Sequence, residues 1–213
     1  MLFYRKGRDS TRLIVFFAGW GCDEHQFEYL HDDCDVLIVY DYSAEPFGFD
    51  FSAYKTVDVI GYSAGVFMSA VLRDRIPAVR RAVAVNGNPF LFDERFGLSA
   101  QKVRSMREIT LDNYMDFRRA YICMPDELER YGKMTFSRAF DSYARELDFL
   151  EDLYEREKNT LRPTFDKAIF ADGEGLFDLA AQREFFGDRL KILPDSKHHV
   201  FFKFSSFADI VDF

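Results

Sequence analysis

Five residues constrain this chain more than any others. Gly61-Tyr-Ser-Ala-Gly65 stands between the apolar run Val57-Asp-Val-Ile60 and a segment of helical character, Ala64 to Arg75, that stops before Pro77. A serine with glycine two residues away on either side, at a strand-to-helix junction, is the sequence form of a sharp, strained turn. Side chains at the glycine positions would collide with the neighbouring strand and helix. The rest of the chain supplies a setting for such a turn. Leu13-Ile-Val-Phe-Phe-Ala18, Val36-Leu-Ile-Val-Tyr40 and Arg81-Ala-Val-Ala-Val85 are short apolar runs without strict alternation, ended by glycine, aspartate or asparagine. Such runs read as strands buried on both faces. Strand, helix and strand at this spacing form a parallel α/β unit with a right-handed crossover.

After Pro163 the strand texture returns in Lys167-Ala-Ile-Phe-Ala171 and Leu190-Lys-Ile-Leu193, with a helical pattern from Leu179 to Phe186 between them. The intervening stretch, about 96–162, has no strand-like run. Phe136, Phe140, Tyr143, Leu147, Leu150 and Tyr154 recur there at steps of three or four, which is helical spacing, and Leu111, Tyr114, Met115, Tyr121 and Ile122 form a weaker stripe. The expected organisation is one domain over 1–213: a core of 1–95 and 163–213, with a helical lid inserted at about 96–162. A chain of 213 residues, 48% hydrophobic and 17% aromatic, fits one compact domain and is no disordered polymer.

Several function classes fall away on composition. The net charge of −8 argues against nucleic acid. No window of 18 apolar residues is present to span a membrane. Charge at Arg5, Lys6 and Arg8 stands where a signal peptide would need its apolar core. Three scattered cysteines (Cys22, Cys34 and Cys123) suggest reduced thiols and a cytoplasmic protein. Neither C-x-x-C nor H-x-x-x-H spacing occurs, so no zinc site, and no other cofactor, is expected.

The serine turn has the form of a nucleophile elbow, with Ser63 as nucleophile and the helix behind it favouring negative charge. Such an elbow needs an acid and then a histidine later in the chain. His25 and His31 precede the serine, which leaves His198 and His199 after the last strand. Adjacent residues of extended chain point opposite ways, so one of the two faces Ser63. Asp172, Glu174 and Asp178 follow the penultimate strand, and spacing does not choose between them. Gly19-Trp-Gly21, directly after the first strand, offers the main-chain N–H of Trp20 as an oxyanion donor together with that of Ala64. Phe90, Phe92, Phe136 and Phe140 suggest an acyl tunnel, although aromatics at such spacing are more often core.

These residues resemble the α/β-hydrolases, and within them the small BioG-type pimeloyl-[acyl-carrier protein] methyl ester esterases of biotin synthesis. The resemblance runs over nearly the whole chain. It rests on Phe17-Ala-Gly-Trp-Gly21, Gly61-Tyr-Ser-Ala-Gly65, Asn86-Gly-Asn-Pro89 leading into Phe96-Gly-Leu98, Glu174-Gly-Leu-Phe177 with Gln182, and His198-His-Val-Phe201. It implies an α/β-hydrolase fold, a mostly parallel sheet flanked by helices with a short helical lid. It also implies Ser63 as nucleophile. The family's acid stands in an Asp-x-Ile-Phe-Pro segment that falls on Glu174-Gly-Leu-Phe-Asp178, which selects Glu174, with glutamate for aspartate and the proline lost. The family's base stands in His-x-Pro-Phe, which falls on His198-His-Val-Phe201 and selects His198. The implied reaction releases methanol from methyl pimeloyl-carrier protein. Alternatives are a general short-acyl carboxylesterase, a thioesterase, or a non-catalytic module that docks a carrier protein; the oligomeric state stays open.

An acyl-carrier protein is itself acidic, as the resemblance implies. Residues 96–162 hold 12 basic and 13 acidic side chains, and 96–145 hold 9 against 7, so the lid is far less acidic than the core. Arg118, Arg119, Arg138 and Arg145 are the candidates for a basic docking face, with Arg138 and Arg145 the principal pair.

Overall fold

The computed structural model describes residues 1–44, 46–134, 137–162 and 164–213. Phe136 of the expected helical stripe and Pro163 at the expected boundary lie outside the described residues.

Seven strands form one sheet: β1 (Leu2–Lys6), β2 (Arg12–Phe17), β3 (Asp35–Tyr40), β4 (Thr56–Tyr62), β5 (Val79–Val85), β6 (Lys167–Ala171) and β7 (Leu190–Leu193). Their order is β1-β3-β2-β4-β5-β6-β7. β1 pairs antiparallel with β3, and every other pairing is parallel. The continuous apolar runs follow from this arrangement. Along β2, Leu13, Val15 and Phe17 enter the core on one face, while Ile14 and Phe16 enter the core on the other. With both faces covered, no position is left for a polar alternation.

β1 and a terminal helix stand outside the elements expected from the sequence. β1 is an edge strand that leaves Leu2 and Arg5 exposed, so it has no buried run to betray it. Helix α7 (Phe207–Asp212) begins on a capping box between Ser206 and Asp209 and buries Phe207, Ile210 and Val211.

Helix α1 (Ala64–Val71) follows β4 with only Ser63 between them, and a 3-10 turn at Arg73–Arg75 completes the expected segment. Between β5 and β6 lie α2 (Ala100–Arg107), α3 (Tyr114–Phe117), a π-helical turn (Arg118–Ile122), α4 (Leu128–Gly132) and α5 (Asp141–Glu157). No strand occurs among the described residues of this stretch. α5 buries Tyr143, Leu147, Leu150 and Tyr154. The weaker stripe does not form one helix face: Leu111 and Met115 are exposed, and the backbone changes from α to π between Phe117 and Arg118. α6 (Leu179–Phe186) connects β6 to β7. The loops that follow β2, β4, β6 and β7 therefore gather at the carboxyl ends of the parallel strands, the edge where open α/β sheets bind ligands.

Candidate active site

Ser63 occupies the one-residue junction between β4 and α1 at φ 55° and ψ −122°, a conformation a non-glycine residue adopts only where its surroundings impose it. The glycines make that junction possible. A Cβ on Gly65 would lie 2.0 Å from the Phe17 carbonyl oxygen, and one on Gly61 2.7 Å from Val66 Cα. Helix and strands thus touch through bare backbone, which pushes Ser63 up at the end of the sheet.

β2 lies beside β4 with Phe17 opposite Gly61, so the loop after β2 begins next to the serine. A Cβ on Gly19 would stand 3.2 Å from the Ser63 Cβ. The Cys22 N–H donates to the Gly19 carbonyl at 3.1 Å and closes the loop as a turn, with Gly21 at φ +71°. Neither the Trp20 N–H nor the Ala64 N–H has a hydrogen-bond acceptor among the described residues. Two donors without protein acceptors beside one serine are what an oxyanion hole requires.

His198 follows β7 and is buried. Its Nδ1 lies 2.8 Å from Glu174 Oε2, with both side chains nearly inaccessible to solvent. Glu174 Oε1 accepts the N–H groups of Leu176 at 2.9 Å and Phe177 at 3.1 Å, so the carboxylate is held at both ends. Donation from Nδ1 to that carboxylate selects the tautomer that leaves Nε2 as acceptor. His198 lines one cavity together with Ser63, Gly19, Trp20, Tyr62, Leu98, Met106, Arg118, Ile122 and Leu176. No direct hydrogen bond joins Ser63 to His198; such contacts are often long until substrate aligns them.

The other carboxylates and the second histidine have different partners. Asp172 accepts the N–H groups of Asp195 (3.1 Å) and Ser196 (3.2 Å). Asp172 is exposed, and although desolvation works to raise its pKa, these backbone bonds outweigh that and lower it. Asp178 caps α6 by accepting the Ala181 N–H at 2.8 Å. His199 packs instead among the rings of Phe27, Tyr131, Phe201 and Phe202. Burial first, and then the positive charges around it, push its pKa down to about 3, so it stays neutral.

Two residues without an assigned role in the sequence reading support this constellation. Asn86, at the end of β5 with φ 42°, donates from Nδ2 to the His198 carbonyl at 2.7 Å and accepts the Ala171 N–H at 2.8 Å. It fastens the histidine loop to β6, from whose end Glu174 departs; its signal was the polar Asn86-Gly-Asn-Pro89 closing an apolar strand. Glu146 of α5 is the second, and its signal was a charged residue on the buried stripe of an amphipathic helix.

The structure takes Arg138 and Arg118 out of the expected basic docking face. Arg138 is 3% exposed and directs its guanidinium inward to Glu146 at 2.8 Å and Asp41 at 3.3 Å. It cannot meet a partner protein because its charge is spent inside the fold. Arg118 is also buried, 3.9 Å over the Tyr114 ring. Arg145 and Arg119 are exposed, each in a surface pair, with Asp141 at 3.0 Å and Asp116 at 2.7 Å respectively, and their side chains stay accessible to a partner. The aromatic tunnel is likewise redrawn: Phe90 packs on Phe185, Phe92 on Tyr154 and Phe140 on Tyr143, and none of the three lines the cavity, whereas Phe117 does. Phe136 lies outside the described residues. No group of three or more histidine, cysteine, aspartate or glutamate side chains suited to a metal ion occurs among the described residues.

Comparison with known proteins adds what geometry alone does not carry. The solved structure of BioG from Haemophilus influenzae superposes with a TM-score of 0.88 at 25% identity, covering all of both chains. A carboxylesterase of the thaumarchaeon Nitrososphaera gargenis reaches 0.63 at 11% identity over 92% of this chain and 86% of its own, which speaks to the fold alone. A malonyl-[acyl-carrier protein] O-methyltransferase of Bacteroides fragilis is 28% identical over 174 residues, 77% of this chain but only 34% of that longer protein. The family model described as pimeloyl-ACP methyl esterase BioG matches residues 3–210, nearly the full length, and the chain therefore belongs to that family of α/β-hydrolase esterases.

Proposed function

We propose that Ser63, His198 and Glu174 form the triad through which this esterase cleaves the methyl ester of pimeloyl-acyl-carrier protein. The observation that carries the reading is the buried Glu174–His198 pair opening onto the cavity that also holds Ser63. His198 Nε2 takes the Ser63 proton as Oγ attacks the ester carbonyl, and Glu174 stabilises the imidazolium. The Trp20 and Ala64 N–H groups receive the developing oxyanion. Collapse of the tetrahedral intermediate breaks the acyl–O bond, and His198 returns its proton to the departing methoxide, which leaves as methanol. Water, deprotonated by His198, then attacks the acyl-serine, freeing Ser63 and pimeloyl-carrier protein. The apolar part of the cavity wall, Leu98, Met106, Ile122 and Leu176, suits the methylene chain. The helices between β5 and β6 act as a lid, since Leu98, Met106 and Ile122 come from that segment. Three buried free thiols fit a reducing, cytoplasmic setting.

A fluorophosphonate probe should label the wild type on Ser63, and Ser63→Ala should lose labelling together with turnover, on the order of 10⁶-fold in kcat. Methyl pimeloyl-carrier protein should be hydrolysed far faster than p-nitrophenyl esters or acyl thioesters. Turnover of the small esters alone would reduce the reading to a general carboxylesterase. A wild type that neither labels nor turns over would leave a carrier-binding module.

A further inference from the structure

Glu146 is fully buried on α5 and has no part in the proposed chemistry, yet its carboxylate ends on the loop beside Ser63. Oε2 accepts the Gly21 N–H at 2.9 Å and Arg138 Nη1 at 2.8 Å, while Oε1 accepts the Tyr42 N–H at 3.1 Å. The same helix holds the loop a second time: the Trp20 indole N–H donates to the Tyr143 carbonyl at 2.8 Å. Arg138 adds a third hold by donating to the Cys22 carbonyl at 3.2 Å, and the Tyr42 hydroxyl donates to the Ala18 carbonyl. Asp23, at the end of the loop, accepts the Ser137 N–H at 2.7 Å.

These bonds decide which way the loop's peptides face. Gly21 stands at φ +71°, and without a bound N–H its peptide would be free to rotate. A charge-assisted bond to a buried carboxylate removes that freedom. With the Gly21 N–H drawn to Glu146, the neighbouring Trp20 N–H keeps no protein acceptor and stays available beside Ser63. Arg138, also held by Asp41 and Ser142, supplies the countercharge that lets a carboxylate stay buried there.

We infer that Glu146, with Arg138 as its counterion, is a positioning residue that acts through Gly21 to aim the Trp20 N–H at the oxyanion. The inference rests on the proposed role of Trp20 as oxyanion donor. It also means that the two arms of the hydrolase, core loop and inserted helix, are joined at the catalytic apparatus itself.

The test is Glu146→Gln, assayed for kcat, KM and affinity for a trifluoromethyl ketone whose hemiketal oxyanion mimics the intermediate. Oxyanion donors act on the transition state more than on the bound ester, so kcat should fall about 10- to 100-fold with KM within about twofold. Affinity for the ketone should fall by the same factor as kcat, which a general loosening of the fold would not reproduce. A folded Glu146→Gln protein with kcat and ketone affinity within twofold of wild type overturns the inference, as does a loss confined to KM. If that variant does not fold, Arg138→Met/Glu146→Leu removes both charges at once, and the same two readings decide. Wild type that fails to label with fluorophosphonate would instead overturn the proposed triad, so the two failures are distinguishable.

Discussion

At the scale of single residues, the site turns on where main chain is allowed to touch main chain. Gly65→Ala would place a methyl group on the Phe17 carbonyl oxygen, and neither helix nor strand can retreat. The variant should be recovered largely unfolded or with no fluorophosphonate labelling, whereas Gly48→Ala, where an added Cβ meets nothing within 4 Å, should behave as wild type. Glu174→Gln keeps the shape of the acid but can turn the histidine to the wrong tautomer; a loss of about 10⁴-fold in kcat with an unchanged melting temperature is expected. Ser63 was legible from its glycines because steric exclusion leaves a mark in the sequence itself. The partner of His198 was not legible from spacing, because Asp172 and Glu174 are two residues apart and differ only in which way a turn directs them. Arg138 shows the reverse failure: a charge count treats every arginine as surface, and only packing reveals one held against Glu146.

At the scale of elements, sheet strands buried on both faces were readable, since each is a run of apolar residues with no alternative explanation. β6 and α6 end where the pattern does, and so does β7, an edge strand with only Leu193 buried, because Leu190, Ile192 and Leu193 are still apolar. The edge strand β1 and the broken α3–π segment were not, because half-exposed elements carry mixed composition and take their form from neighbours. α5 carries the clearest amphipathic stripe, and its centre is Leu150, wholly buried. Leu150→Ala should destabilise the protein by about 3 kcal/mol, read as a shift in urea midpoint at constant slope. A loss below about 1 kcal/mol would mean that α5 contributes little to the stability of the core.

At the scale of the whole molecule, one buried imidazole makes stability depend on acidity. His199 is held down to about 3 in the folded protein, while an unfolded chain would bind a proton below about 6.5. The unfolded state therefore takes up the proton first, and stability falls as pH drops from about 6.5 toward 3. Urea midpoints measured across that interval should decline, and His199→Phe, which preserves a ring in the aromatic cage, should flatten the decline. An unaltered slope in the variant would assign the effect to other groups. The cysteines lead to a different kind of consequence. Cys22, Cys34 and Cys123 are free and buried, and burial pushes all three thiols upward. The native protein therefore presents an alkylating reagent with almost no thiolate, and each modification records a moment when the molecule came open. Nature has thereby equipped the fold with its own stopwatch: pulses of iodoacetamide followed by mass spectrometry would time its unfolding at three places without a single engineered label.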